Sequence, residues 1–140
     1  MVPINYWAVL LNVVIAMALG FVWYGPLFGK KWARLMGWSD EQSQAKMKES
    51  QAFNYGLTAL GSLVMSFVLA HNLEFASTYL ATGGISAGLM TGFWNWLGFV
   101  APVTLGSVLW DGKPWMLWVI NNGYWLIMML LMGVVLALWV

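Results

Sequence analysis

Residues 79–109 read YLATGGISAGLMTGFWNWLGFVAPVTLGSVL. The charge-free run around them is longer still, because no Asp, Glu, Lys, Arg or His occurs between Phe75 and Trp110. About 20 mainly apolar residues suffice for a helix to cross a lipid bilayer. The stretch therefore predicts a membrane-spanning helix, and this decides the class of the fold.

Three glycines recur at every fourth residue of this stretch, namely Gly84, Gly88 and Gly92. Residues three or four apart lie on one side of a helix. A side made of small residues lets a second membrane helix approach closely. Gly20 ends a similar stripe of small and amide side chains in the first apolar segment. We expect these four glycines to pack against other helices.

The composition extends the prediction to the whole chain. Hydrophobic residues make up 61% and charged residues only 8%, against about 25% charged in an average soluble domain, which excludes a water-soluble monomer. We predict an all-α polytopic membrane protein, a single four-helix transmembrane domain over residues 1–140. Its spans are predicted at about 4–24, 52–73, 79–109 and 115–140.

Between the first two spans, residues 25–51 form a loop that carries most of the charges. Gly25-Pro26 is predicted to stop the first helix, since proline lacks the amide hydrogen that a helix needs. Ser39 and Gln42 have the spacing of a helix-starting capping box. Lys30, Lys31 and Arg34 alternate with aromatic side chains. This amphipathic, interfacial pattern predicts contact with lipid headgroups, with residues 27–37 either on the membrane surface or dipping into it.

The basic residues also predict the orientation. Of the six Lys and Arg residues, five lie between spans 1 and 2, and Lys113 lies between spans 3 and 4. Two loops separated by an even number of crossings lie on the same face, and basic loops stay in the cytoplasm. We therefore expect both termini outside the cytoplasm. A net charge of +1 argues against nucleic acid as a partner, because phosphate binding needs a clustered basic face.

Uncharged polar and aromatic residues fall within the predicted spans. They allow two interpretations: they line a site or pore for a neutral ligand, or the amides bond helix to helix while the tryptophans fill grooves. The candidates are Asn12, Ser62, Trp94, Asn95, Trp96, Asn121, Asn122 and Tyr124.

Chemistry that needs ionisable groups is poorly supported. No Asp, Glu, Lys, Arg or His lies in the interior of a predicted span, and proton relays usually require one. His71 and Glu74 are three residues apart and form a weak candidate for a metal or a tetrapyrrole, although two ligands do not complete a metal site. The chain contains neither a GxxxxGK[ST] loop nor a GxSxG elbow. We expect no enzyme and no cofactor.

Two stretches of the chain resemble a known family. The first runs Trp23-Tyr24-Gly25-Pro26-Leu27-Phe28-Gly29-Lys30, and the second includes Ile120-Asn121-Asn122-Gly123-Tyr124. Together they resemble the small bacterial four-span membrane proteins catalogued as domain of unknown function 1761. The resemblance implies a compact protein of the bacterial inner membrane and carries over no activity. It marks Trp23, Tyr24, Gly25 and Pro26 as signature positions.

The sequence therefore predicts a small membrane protein that acts by helix association, as a homo-oligomer or as an accessory subunit of a larger membrane complex, in contact with membrane lipids. The alternative is a small channel or carrier for a neutral solute. That alternative depends on the midplane Asn and Trp residues.

Overall fold

The chain is organised around four long helices. A computed structural model describes residues 3–139 and contains only helices and their connections in that range. Four helices are long and apolar enough to cross a membrane, as expected of a multi-pass membrane protein: span 1 (Tyr6–Leu27), span 2 (Ala52–Leu80), span 3 (Gly84–Leu109) and span 4 (Trp115–Leu138). The predicted all-α, four-span class is confirmed. The predicted end of span 4 at residue 140 lies outside the described residues.

Two short helices, Gly29–Leu35 and Asp40–Lys48, connect spans 1 and 2. The second one begins with the predicted capping box: the Ser39 side chain accepts from the Gln42 amide at 3.1 Å, and the Gln42 side chain accepts from the Ser39 amide at 3.0 Å. These two bonds satisfy backbone donors that the first turn of a helix leaves unpaired.

Spans 1 and 3 each contain a π-turn, at Trp23–Leu27 and Trp96–Val100. In span 1 the Phe28 amide donates to the Trp23 carbonyl at 2.9 Å, five residues back. Proline supplies no amide hydrogen and crowds the carbonyl four residues before it, and the wider π-turn relieves that crowding. Pro26 therefore widens span 1 instead of stopping it at residue 24. Span 3 has Pro102 just beyond its π-turn and continues as Ala101–Thr104 and Gly106–Leu109.

Span 2 is longer than predicted, because its helix continues from Ala52 to Leu80 instead of ending near residue 73. Residues 74–80 contain neither Gly nor Pro, so nothing local breaks the helix before Ala81. The backbone turns there, with positive φ at Ala81 (50°) and at Gly84 (66°). Span 3 therefore begins at residue 84 and not at 79. Gly84 belongs to this turn, so its predicted role in packing against another helix is corrected.

Span 4 lies at the centre of the bundle. Met128 and Met132 on span 4 are fully buried, as is Leu69 on span 2. Gly88 and Gly92 of span 3 pack directly on the backbone of span 4: a Cβ at Gly88 would overlap the Gly133 carbonyl, and one at Gly92 would lie 2.8 Å from the Met129 carbonyl carbon. The close approach that the glycine spacing predicts is therefore made inside the chain.

The helices alternate in direction, so the bundle has two distinct ends. We call the end that carries residues 28–51 and 110–114 the basic end. The opposite, distal end carries Pro3, the turn at residues 81–83 and Trp139. There the Asn5 side-chain amide donates to the Trp139 carbonyl at 2.8 Å, which places the start of span 1 beside the end of span 4.

Candidate functional site

The π-turn of span 1 is hydrogen-bonded to span 4 at the basic end of the bundle. The Trp23 indole Nε1 donates to the Ile120 carbonyl at 3.0 Å, and the Tyr24 hydroxyl donates to Asn121 Oδ1 at 2.9 Å. Both acceptors lie in the first half of span 4. Two stretches that are about a hundred residues apart in sequence, and that both carry the family resemblance, are therefore in direct contact.

The short helix Gly29–Leu35 joins the same site. Its Trp32 Nε1 also donates to Asn121 Oδ1, at 3.2 Å, and the Trp32 ring packs edge-on against Tyr24 with centroids 5.9 Å apart. One amide oxygen thus accepts hydrogen bonds from two separate elements. The bond holds the connecting helix against the bundle.

Tyr124 completes what we call the basic-end cluster, which consists of Trp23, Tyr24, Trp32, Asn121 and Tyr124. The Tyr124 ring lies 5.3 Å from that of Tyr24, and its hydroxyl donates to the Ala16 carbonyl at 3.0 Å. Two small residues make room for these rings. A Cβ at Gly20 would lie 3.4 Å from the Tyr124 hydroxyl, and one at Gly123 would lie 3.0 Å from the Trp23 ring. The predicted packing role of Gly20 fits this contact, and it too lies within the chain.

A second network joins spans 3 and 4 beside the cluster. Thr104 Oγ1 accepts from the side-chain nitrogens of Asn122 at 2.9 Å and Trp118 at 3.1 Å, and it donates to the Val100 carbonyl at 2.8 Å. Asn122 is buried, whereas Asn121 next to it faces the basic-end cluster. Sequence reasoning missed Thr104. Its signal was a hydroxyl two residues after Pro102, within an apolar run.

Asn12 is fully buried between three spans. Its side-chain nitrogen donates to Ser66 Oγ at 2.9 Å and to the Met132 carbonyl at 3.2 Å. Its Oδ1 has no partner among the described residues. Ser62, one turn before Ser66, is also buried. These contacts join spans 1, 2 and 4.

Asn95 belongs to a separate pair between spans 2 and 3. Its Oδ1 accepts from the Asn72 side chain at 2.8 Å, and its own nitrogen donates to the Thr91 carbonyl at 2.9 Å. Trp94 beside it is 60% exposed on the outer surface, whereas Trp96 is half-buried and its indole nitrogen has no partner among the described residues. The four Asn candidates and Tyr124 thus belong to separate networks that bond one helix to another.

Charged side chains lie at the two ends of the bundle. Lys30, Lys31 and Arg34 are exposed on the helix Gly29–Leu35, next to the basic-end cluster. His71 and Glu74 lie on span 2 toward the distal end, and the His71 ring packs on Phe67 with its Nδ1 2.9 Å from the Phe67 carbonyl oxygen. Residues 3–139 contain no group of three His, Cys, Asp or Glu side chains placed to hold a metal ion.

Comparison with known proteins identifies a family. A family model described as a protein of unknown function (DUF1761) matches residues 7–137. No curated protein and no solved structure matches the chain significantly. The matched range includes spans 2 and 3, all but one residue each of spans 1 and 4, and every residue of the basic-end cluster.

Proposed function

Because the chain belongs to DUF1761, a family whose description assigns no activity, we propose its function from geometry: it acts by helix association, as a homo-oligomer held by the first half of span 2. The proposal depends on a stripe of residues along one side of span 2 that is buried in only one half of the helix. We call the stripe the inner seam, and it comprises Ala52, Tyr55, Ala59, Ser62, Ser66, Leu69 and Leu73.

The inner seam alternates steps of three and four residues, so its members share one side of span 2. In the distal half Ser62, Ser66, Leu69 and Leu73 are all buried. In the basic half the same side is open, with Tyr55 58% exposed. Within residues 52–61, Ala59 is half-buried and every other residue is exposed. The basic half of span 2 therefore presents a packing side that residues 3–139 leave uncovered.

Close approach of a second helix is possible there. A Cβ built at Gly56 meets no atom of the described residues within 4 Å, and Ala52 and Ala59 on the same side are small. Membrane helices associate by van der Waals packing of such small-residue surfaces. Residues 52–61 also carry no charge, so two identical copies related by a twofold axis bring no like charges together. These features support a second copy of this chain as the occupant.

Cysteine cross-linking tests the proposal, because the chain contains no cysteine of its own. In membranes exposed to a mild oxidant, Tyr55→Cys is expected to form a disulfide-linked dimer. The matched control is Leu57→Cys, at the same depth but on the opposite side of the helix and 53% exposed. Leu57→Cys is expected to stay monomeric.

Two outcomes contradict the proposal. Equal cross-linking of both variants indicates random collision. If Tyr55→Cys does not cross-link and native mass spectrometry gives a monomeric mass, the protein does not self-associate. A monomer that co-purifies with another membrane protein in a Tyr55-dependent way indicates an accessory subunit instead. No observation among the described residues favours the solute channel, because Asn12, Asn95 and Asn122 each bond to other helices.

We also propose that the basic end lies in the cytoplasm of a bacterial cell and that Pro3 and Trp139 lie outside the inner membrane. Support comes from the basic loops at one end and from the exposure of Lys30, Lys31 and Arg34, which suits contact with lipid phosphates. A membrane-impermeant maleimide added to intact spheroplasts should label Thr82→Cys and leave Ser50→Cys unlabelled. The reverse pattern inverts the orientation.

A further inference from the structure

A cavity of about 230 Å³ opens at the distal end, where the ends of all four spans meet. Span 2 contributes Glu74 and Ser77, and the chain just before span 1 contributes Asn5. The apolar part of the lining includes Leu73, Leu136 and Trp139. The cavity lies at the opposite end of the bundle from the basic-end cluster and from the open basic half of the inner seam, residues 52–61, which is proposed for self-association.

Among the described residues of this lining, Glu74 alone has an ionisable side chain, and it is half-buried. It lies six residues before the end of span 2, which is about 9 Å along the helix axis at 1.5 Å per residue. All six Lys and Arg residues belong to the loops at the opposite end of the bundle. His71, one turn earlier, directs its Nδ1 to the Phe67 carbonyl and is not part of the lining.

The carboxylate thus lacks a counter-ion among residues 3–139. The start of span 3 at Gly83 and Gly84 borders the cavity and offers only the partial positive charge of a helix terminus. No hydrogen bond to Glu74 is formed within the described part of the chain. An ionisable group that is unpaired at membrane depth is costly, so such groups generally serve a function.

We propose that this cavity binds an ammonium group carried on a short apolar chain. Glu74 pairs with the cation, the Ser77 hydroxyl accepts one of its hydrogens, and Leu73 and Leu136 pack on the hydrocarbon. Pockets for drug-sized ligands measure about 300–1,000 Å³, so a smaller cavity suits a group of a few heavy atoms. Glu74 belongs to no group of three His, Cys, Asp or Glu side chains within residues 3–139, so the site fits an organic cation better than a metal ion.

Two sources offer this chemistry, a free amine and the headgroup of an ethanolamine lipid. The experiment uses the full chain purified in a neutral detergent, with n-butylammonium chloride as the first probe and phosphatidylethanolamine in mixed micelles as the second. Isothermal titration calorimetry reports binding of the amine. Native mass spectrometry reports retention of the lipid, with phosphatidylglycerol as the comparison lipid.

Glu74→Gln keeps the shape of the side chain and removes its charge, and Glu49→Gln removes an equal charge from an exposed site at the basic end. The wild type and Glu49→Gln are expected to bind at least one probe saturably. Because a charge-assisted hydrogen bond is about twice as strong as a neutral one, Glu74→Gln should bind about 10- to 100-fold more weakly. Ser77→Leu, which keeps the carboxylate and fills the cavity, should weaken binding too.

The result assigns the source. Glu74-dependent binding of butylammonium indicates a free amine, and Glu74-dependent retention of phosphatidylethanolamine alone indicates the lipid. Equal binding by Glu74→Gln and the wild type overturns the proposal, as does the absence of saturable binding of both probes by the wild type. A Glu74→Gln variant that does not fold leaves Ser77→Leu as the deciding comparison.

Discussion

Replacing Gly88 with Ala tests the contact on which the bundle most depends, the packing of span 3 on span 4. The added Cβ would overlap the Gly133 carbonyl oxygen and lie 2.6 Å from its carbonyl carbon and 2.9 Å from the Val134 nitrogen. Real Cβ atoms essentially never approach other atoms closer than 3.0 Å. The obstructing atoms belong to backbone, so no rotamer change relieves the overlap and the two helices must separate.

Overpacking of a tightly packed interior costs about 1–3 kcal/mol, and we expect Gly88→Ala to lower the free energy of unfolding by that amount. Gly61→Ala is the matched control, since Gly61 lies in a helix interior with no atom within 4 Å of a built Cβ. Alanine has the higher helix propensity, by about 0.5–1 kcal/mol. The control should therefore gain stability or stay unchanged, whereas Gly88→Ala should lose stability.

The assay is reversible unfolding in mixed micelles of increasing dodecyl sulfate fraction, followed by circular dichroism. A Gly88→Ala protein as stable as the wild type would refute the packing argument, and so would an equal loss in Gly61→Ala. The double variant Gly88→Ala with Gly133→Ala gives a second test. Both substitutions disturb the same contact. The losses in the free energy of unfolding of the two single variants should therefore sum to more than the loss in the double variant, as expected of coupled neighbours.

Two hydrogen-bond predictions use the same assay. Tyr24→Phe should cost about 0.5–1.5 kcal/mol, because Asn121 Oδ1 loses one of its two donors; a gain in stability would contradict this role. Thr104→Val, which conserves the side-chain shape, should cost about 1–3 kcal/mol, because it leaves the Trp118 indole nitrogen without its acceptor. Thr58→Val, an exposed control whose hydroxyl bonds only within its own helix, should stay within about 0.5 kcal/mol of the wild type, and an equal loss in both would count against the Thr104 network.

The features that the sequence predicts well are local ones. Four apolar runs of bilayer length identify four spans, because the bilayer sets the length of a helix independently of its neighbours. The Ser39 capping box is likewise formed by residues three apart. The glycine spacing at Gly88 and Gly92 indicates close packing, because a helix side without Cβ atoms lets the backbone of another helix approach.

Other features depend on context that periodicity does not carry. The sequence predicts that span 2 ends near residue 73, just before Glu74, and a carboxylate is costly in hydrocarbon. The helix nevertheless runs on to Leu80, since the backbone lacks a breaker and the carboxylate has a cavity to face. The pairing of Tyr24 with Asn121 depends on which two helix ends meet, and no local rule determines that. The resemblance to DUF1761 was the one signal that linked these two stretches.

The use of small residues inside the bundle decides where association can occur. Gly88, Gly92 and Gly133 are taken up by the contact between spans 3 and 4, so these three glycines give no support to a homo-oligomer. If Gly88→Leu changes the size of the protein in detergent, the cause is therefore separation of spans 3 and 4 within one chain.

The open half of the inner seam makes a different prediction. Tyr55→Cys should still cross-link in a Gly61→Ala background, and should lose its cross-link when Gly56→Leu blocks close approach while the free energy of unfolding stays unchanged.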